Sequence, residues 1–551
     1  MKLVSVPYAL GLAVAALLTV MIWKFLGAPV EMVDAPAGKV HCISYTPYRG
    51  AETPFDESFQ ADPARIDADL ALLSGMTDCV RTYSVDQRLD AVVPIAEKYG
   101  LKVLLGIWIG RDDARNQKQI EHAIEVAKAH PRAIKAIVVG NEVLLRGEQP
   151  PEELIRYLTE VKKATGMPVT YADVTDFWVK APIELSQAVD FVTIHILPYW
   201  ENNPTSAKHG VDYLKSVLGE VAPMFPGKSI FIGETGFPSA GRERAEAIPS
   251  IVSQALYLRE LAAYAQSVDL DYNLIEAFDQ PWKRALEGTV GGHWGVFTTD
   301  RVQKFPWTGP VSNHPEWRLE GSVSFALSFL ILAIMAWRGG KPDPLGGLAA
   351  GVGAAIAGSS LLLQVEHSWI AWRTPIEAGV ELFVLAQSLA VICFVTPELT
   401  KGRNGMGPLS IAQTVAWLRA PDRASLGQPL YLGLVQLSVA FSTLVIALGF
   451  CFDQRYRDFP LAAFGLAAAS LALLALNRGD HKRQPEGRHE EVLFATLLVI
   501  TACITAFNEG VQNIEALVWV SFTLLVALPW FGVTRAAWRC LFARSGATAK
   551  A

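Results

Sequence analysis

Cysteine is scarce: six residues in 551, with no C-x-x-C and no H-E-x-x-H. Neither a disulfide framework nor a zinc site has support from that pattern. Four of the six (Cys393, Cys451, Cys503 and Cys540) fall in or beside apolar segments, where small buried thiols are common. Only Cys42 and Cys79 lie in a soluble-looking stretch; a bridge is within reach, and two buried free thiols are the expectation. Basic blocks are missing from the first half, and the net charge is only -6, which sets nucleic acid aside as a partner. No G-x-G-x-x-G follows the first strand-like segment, which removes a dinucleotide cofactor. No metal or other cofactor is expected.

Hydrophobic residues make up 51% of the chain, and they are distributed in two ways. Residues 6–23, VPYALGLAVAALLTVMIW, form an apolar run long enough to cross a bilayer, between Lys2 and Lys24. A cleaved signal peptide is the rival, with Ala35-Pro36-Ala37 as its cleavage-like site; the length of the run favours an uncleaved anchor, assigned to residues 1–30. Beyond Trp317 the chain is lipid-like again. Candidate spans are Gly321–Trp337, Leu345–Gln364, Ile376–Thr396, Leu430–Phe452, Leu461–Asn477, Val492–Phe507 and Ile514–Phe531. They define a seven-helix domain over residues 318–535 and a cytoplasmic tail over 536–551. If Lys2 is cytoplasmic, the same side receives Arg338, Lys341, Lys401, Arg403, Arg478, Lys482, Arg483 and Lys550. The opposite short loops receive Arg373, Arg455 and Arg457. That asymmetry predicts a multi-pass membrane protein with both termini cytoplasmic and residues 39–310 extracytoplasmic, which for a bacterial inner membrane is the periplasm.

Between the lipid-like regions, short β-rich runs alternate with amphipathic helical patterns. The strand candidates are 40–48, 79–84, 102–110, 136–142, 168–174, 191–199, 229–236 and 272–282, with helices such as Asp86–Tyr99 and Gln119–Ala129 between them. Eight such units over residues 39–310 predict an α/β (β/α)8 TIM barrel. It is fused to an all-α polytopic membrane domain and preceded by one N-terminal transmembrane helix.

In such a barrel the site lies at the C-terminal strand ends. Glu142 closes the fourth strand (AIVVGNE) and Glu234 the seventh (SIFIGETG). One strand-end glutamate is ordinarily a solvated residue; two on strands across the mouth suit glycosidic chemistry, in which one acid protonates the leaving oxygen while a carboxylate attacks or stabilises the anomeric carbon. Other strand-end candidates are Tyr45, Arg81, Tyr83, Trp108, Asn141, Asp173, His195, Tyr199, Trp200, Glu276, Asp279, Trp282 and Lys283. Asn141 offers a sugar hydroxyl a hydrogen bond, and the aromatic faces offer sugar rings a flat apolar surface.

The stretches VRTYS (80–84), GIWIG (106–110), VVGNE (138–142), IHILPYW (194–200), IGETGFPS (232–239) and IEAFDQPWK (275–283) resemble glycoside hydrolase family 17, the β-1,3-glucanase and glucanosyltransferase group. Fusion to a polytopic region resembles the bacterial membrane proteins described as β-(1,6)-glucan synthases. The resemblance implies a retaining double displacement on β-glucan, with Glu142 as acid/base and Glu234 as nucleophile. It implies further that Glu276 and Lys283 bind substrate or support the carboxylates. Phe237 stands where many members carry Trp. The expected activity is transglycosylation from β-1,3-glucan to a glucan acceptor, with β-1,6 linkages or branches among the products it could form. A plain endo-β-1,3-glucanase and a non-catalytic glucan-binding or export scaffold are the alternatives. The partners implied are the glucan, the lipid bilayer and a glucan synthase or export machinery.

Overall fold

The computed structural model describes residues 5–36, 40–372, 374–423, 426–452, 455–480 and 488–548. Lys2, Arg373, Lys482, Arg483 and Lys550, which entered the charge-asymmetry argument, lie outside the described residues. The chain divides into two compact units, Pro29–Ser312 on one hand and Met1–Ala28 with Asn313–Ala551 on the other.

The first unit is a closed barrel of eight parallel strands in sequential order. They are β1 (Cys42–Ser44), β2 (Cys79–Arg81), β3 (Lys102–Ile107), β4 (Ile134–Asn141), β5 (Val169–Val174), β6 (Val192–His195), β7 (Ile230–Thr235) and β8 (Tyr272–Leu274). Every predicted strand is present, and most end earlier than predicted because the residues beyond them turn into loops at the mouth. Strand side chains alternate between two environments, as a period of two requires. Ile43, Val80, Val103, Leu105, Ile137 and Val139 belong to the large core built with the surrounding helices. Their neighbours Cys42, Cys79, Leu104, Ala136, Val138, Ala172 and Phe231 form a separate apolar cluster, which fills the lumen below the mouth. Two residues further along each strand, that lumenal face delivers Ser44, Arg81 and Gly106.

One expectation is overturned here. Cys42 and Cys79 are joined by a disulfide instead of remaining free thiols. The parallel register pairs Ile43 with Val80, so the two cysteines stand opposite each other on one face with Cα atoms 4.4 Å apart. Their separation of 37 residues in sequence concealed a neighbour relation that only the strand register creates.

Among the described residues of the second unit, eight helices are long and apolar enough to cross a membrane: Val6–Leu26, Trp317–Arg338, Pro344–Ala371, Pro375–Leu399, Gln428–Phe452, Leu461–Arg478, His489–Glu509 and Ile514–Arg539. Val6–Leu26 is built into this unit. Tyr8, Ala15, Thr19 and Trp23 are buried, and the Tyr8 hydroxyl donates to Met335 O at 3.1 Å. A Cβ on Gly11 would sit 2.5 Å from Gly347 O, so the helix Pro344–Ala371 approaches at a distance only glycine allows, the packing mode of small residues between membrane helices.

Candidate active site

The mouth of the barrel is shaped by departures from regular strand geometry. At the end of β4 the pairing with β5 slips between Val138 and Asn141, and Gly140 takes φ 86. A Cβ there would lie 2.8 Å from Val143 Cγ2, so only glycine fits. Glu142 itself is left-handed at φ 52, a conformation that costs a non-glycine residue ~1–3 kcal/mol and needs support from its surroundings. On the other side of the mouth the β6–β7 register slips just before His195 and then pairs His195 with Glu234. Phe231 faces the lumen and Ile232 the helices. Without the slip, alternation would turn Glu234 towards the helices; the irregularity re-aims it inward.

Glu142, His195 and Glu234 converge, each offering a ligand atom within 4.8 Å of the others. The same trio has the donor types of a cation site. One oxygen of Glu234 is already engaged, however: Oε1 accepts from Tyr83 Oη at 2.8 Å and from Arg81 Nη1 at 3.2 Å. Arg81 is buried and forks across the site, donating also to Gly233 O at 2.7 Å and, through Nη2, to Asn141 Oδ1 at 2.5 Å. Gly233 is itself packed too closely for a side chain, since a Cβ there would be 2.5 Å from Thr193 Cγ2.

The two carboxyls are held in opposite states. Burial, then the nearby charges of Glu234 and Asp173, push Glu142 up to about 8, against the pull of Arg146 and Arg81. Burial also opposes charge on Glu234, but His195, Arg81 and the Tyr83 hydrogen bond outweigh it and hold the group below the ordinary range. Burial drives His195 down to about 4, so at neutral pH its ring is uncharged and the permanent positive charge facing Glu234 is that of Arg81 and Lys283. One acid stays protonated while its neighbour is an anion, the division of labour that general acid and nucleophile require.

Around this centre Lys283 Nζ donates to Glu276 Oε1 at 2.9 Å. Burial raises Glu276 to about 7 against the pull of Lys283. Trp200 stacks on Trp294 with ring centres 6.4 Å apart. Trp282 meets Phe55 and Tyr48 edge-on, and half-exposed Trp108 carries the Arg146 guanidinium 4.4 Å above its ring. Of these, Trp108, Trp200 and Trp282 present flat apolar surface at the strand ends, while Trp294 and Glu276 are buried beneath it.

Other predicted binding residues are placed elsewhere. Tyr45 follows Ser44 and so falls on the opposite face; its hydroxyl donates to Asp69 at 3.2 Å, on the helix Pro63–Leu73. Tyr199 is buried with its hydroxyl on Arg242 O at 2.8 Å. Asp279 is sealed in by Lys304 at 2.6 Å and the Gly295 amide at 3.0 Å. Asp173 follows lumenal Ala172 and is 0% exposed, engaged by Tyr171, Val174 and Leu145. These four have structural partners where sugar contact was expected.

Three residues of the mouth were missed. Ser44 bonds Tyr83 Oη at 3.0 Å, and alternation from Cys42 could have found it. Glu287, which burial raises, faces Lys283 and Glu234. Lys304 lies beyond the last strand, where no pattern points to it.

The family model described as the BtgE/BtgC glycoside hydrolase domain matches residues 42–295. A glucan 1,3-beta-glucosidase of Candida albicans is 26% identical over 274 residues, covering 45% of this chain and 88% of the relative. A second glucan 1,3-beta-glucosidase, from Arthroderma benhamiae, is 28% identical over 264 residues, covering 44% of this chain and 84% of the relative. Among solved structures, the family 17 beta-1,3-glucanosyltransferase of Rhizomucor miehei is similar at 26% identity, covering 49% of this chain and 96% of its own, with a TM-score of 0.42. Matched from its first strand to beyond its last by the BtgE/BtgC glycoside hydrolase model and carrying two converging carboxyls at its mouth, the barrel is of the glycoside hydrolase kind, and the protein is a glycosidase or transglycosylase.

Proposed function

We propose that the protein is a retaining β-glucan transglycosylase that cleaves β-1,3-glucan and transfers the glycosyl unit to a second glucan. The observation that carries this reading is the convergence of a raised Glu142 and a lowered Glu234, which bring one oxygen each within 4.8 Å of the other, the close approach that a retaining pair needs. In the first step the Glu234 carboxylate bonds to C1 as the C1–O bond breaks, and Glu142 gives its proton to the departing sugar oxygen. In the second, Glu142, now a carboxylate, takes the proton of an incoming hydroxyl whose oxygen bonds to C1, and the Glu234 ester is released. Arg81 and Tyr83 orient Glu234, while Asn141, Glu276 and Lys283 serve the sugar hydroxyls and the carboxylates.

Water and a sugar hydroxyl compete for the ester. Trp200, backed by buried Trp294, and the Phe55–Trp282 pair supply an apolar platform for a sugar acceptor, which favours transfer. Hydrolysis is the second reading, favoured by the glucan 1,3-beta-glucosidase names of the relatives. We place the barrel outside the cytoplasm of a bacterial inner membrane, next to glucan synthesis or export. The Cys42–Cys79 disulfide supports an oxidising compartment, and the loop cations support the same side.

The test is incubation of the purified full-length protein with linear β-1,3-oligoglucosides, followed by mass analysis. Longer or branched products are expected. Shorter products alone mean a hydrolase, and unchanged substrate means a binding scaffold.

A further inference from the structure

The backbone that carries Glu142 is gripped from β5. Asp173 Oδ1 accepts the Val174 amide at 2.7 Å, and Oδ2 accepts the Leu145 amide at 3.4 Å. Oδ2 also accepts the Tyr171 hydroxyl proton. With its O–H directed at Asp173, the Tyr171 oxygen accepts the Leu144 amide at 2.9 Å. Two successive amides of the first turn after Glu142 are thus tied to one buried pair, and Arg146 N closes the turn on Glu142 O at 2.9 Å. Glu142 needs such support, because its left-handed φ of 52 is not one that a free loop would hold. Asp173 is fully buried, so it acts on the reaction only through what it holds and through its charge.

We propose that Asp173, together with Tyr171, is the positioning element of the acid Glu142: it fixes the turn that aims the carboxyl at the glycosidic oxygen and sets a negative charge behind it. The proposal rests on the assignment of Glu142 as general acid. The charged groups that face Glu142 are Glu234 from β7 and Asp173 from β5, which favour its protonated form, and Arg146 from its own loop and Arg81 from β2, which oppose it. His195 from β6 faces it as a neutral ring at pH 7.

A positioning role for an acid has a signature that general destabilisation lacks. A glycoside with a good aryl leaving group needs little protonation, whereas a sugar leaving group needs it fully. The experiment measures kcat/KM of the full-length protein on a β-1,3-oligoglucoside and on a dinitrophenyl β-glucoside of the same glycone, for the wild type, E142Q, D173N and Y171F. The expected result for D173N is a loss on the order of 10- to 100-fold on the oligoglucoside and under about 3-fold on the aryl substrate. Its alkaline pH limb is expected to move to lower pH, because one anion opposing ionisation of Glu142 is gone. Y171F keeps the charge and loses the clamp, so it shows the leaving-group-dependent loss with the alkaline limb in place; it carries the test if D173N does not fold. Equal losses on both substrates, or an unmoved alkaline limb in D173N, overturn the proposal. If E142Q also loses both substrates equally, the acid assignment falls and the proposal with it. If E142Q discriminates and D173N does not, only the proposal falls.

Discussion

Arg81 donates to Glu234 Oε1 from one nitrogen and to Asn141 Oδ1 from another, at 3.2 Å and 2.5 Å. One planar group therefore sets the residue beside Glu142 on β4 and Glu234 on β7 in a single geometry. Lysine keeps the charge but has no fork. R81K is expected to lower kcat/KM by roughly 10- to 100-fold and to leave the acid limb nearly in place, whereas R81M moves that limb to higher pH because Glu234 loses one of the two permanent cations that face it, Lys283 remaining. Pre-steady-state and pH-rate measurements on both variants check this; an unchanged rate in R81K contradicts it.

The opposed carboxyls predict a bell-shaped pH dependence. The acid limb of kcat/KM belongs to Glu234, below the ordinary carboxylate range, and the alkaline limb to Glu142, near pH 8. Stability follows with a definite sign. Glu142 is raised from 4.5 in the unfolded chain to about 8, so its neutral form contributes stability that is full below pH 4.5 and is lost as pH rises through 8. Melting temperature should fall across that window, and E142Q should flatten part of the fall. Calorimetry at intervals between pH 4.5 and 8.5 measures it.

Lys283 and Glu276 form a buried pair at 2.9 Å, with the glutamate 1% exposed. Removing the cation strands the acid, which can take up a proton and limit the damage. K283M should therefore cost about 2–3 kcal/mol at pH 6 and more at pH 8, read from denaturant melts at the two pH values. A cost that does not change with pH would mean that Glu276 is not the group left behind.

The Cys42–Cys79 bridge closes a 37-residue separation. Replacing both cysteines with serine should lower barrel stability by roughly 2–4 kcal/mol without altering the pH profile, since both lie in the apolar lumen below the site. Denaturant unfolding of the oxidised, reduced and substituted proteins compares the three states. A substituted protein as stable as the oxidised one would contradict the expectation.

What the sequence revealed was periodicity. Runs such as AIVVGNE and SIFIGETG locate β4 and β7 because parallel strands buried on both faces read as β-branched blocks, and strand order then sets Glu142 across from Glu234. Phase was less legible. Tyr45 and Asp173 were ranked with the site although alternation from Cys42 and Ala172 turns both away. Glu234 reaches the lumen only through a register slip that no pattern of residue types announces. The disulfide depended on register in the same way, and Lys304 reaches Asp279 from a segment outside every strand and helix signal.

The central claim is a covalent glycosyl ester on Glu234. Incubating the full-length protein with a slow, activated 2-deoxy-2-fluoro-β-glucoside and measuring intact mass, followed by peptide mapping, tests it directly. The account predicts one added glycosyl unit on the peptide that contains Glu234, absent in E234Q. A label on another residue, or turnover of the normal substrate with inverted anomeric configuration and no adduct, would contradict it.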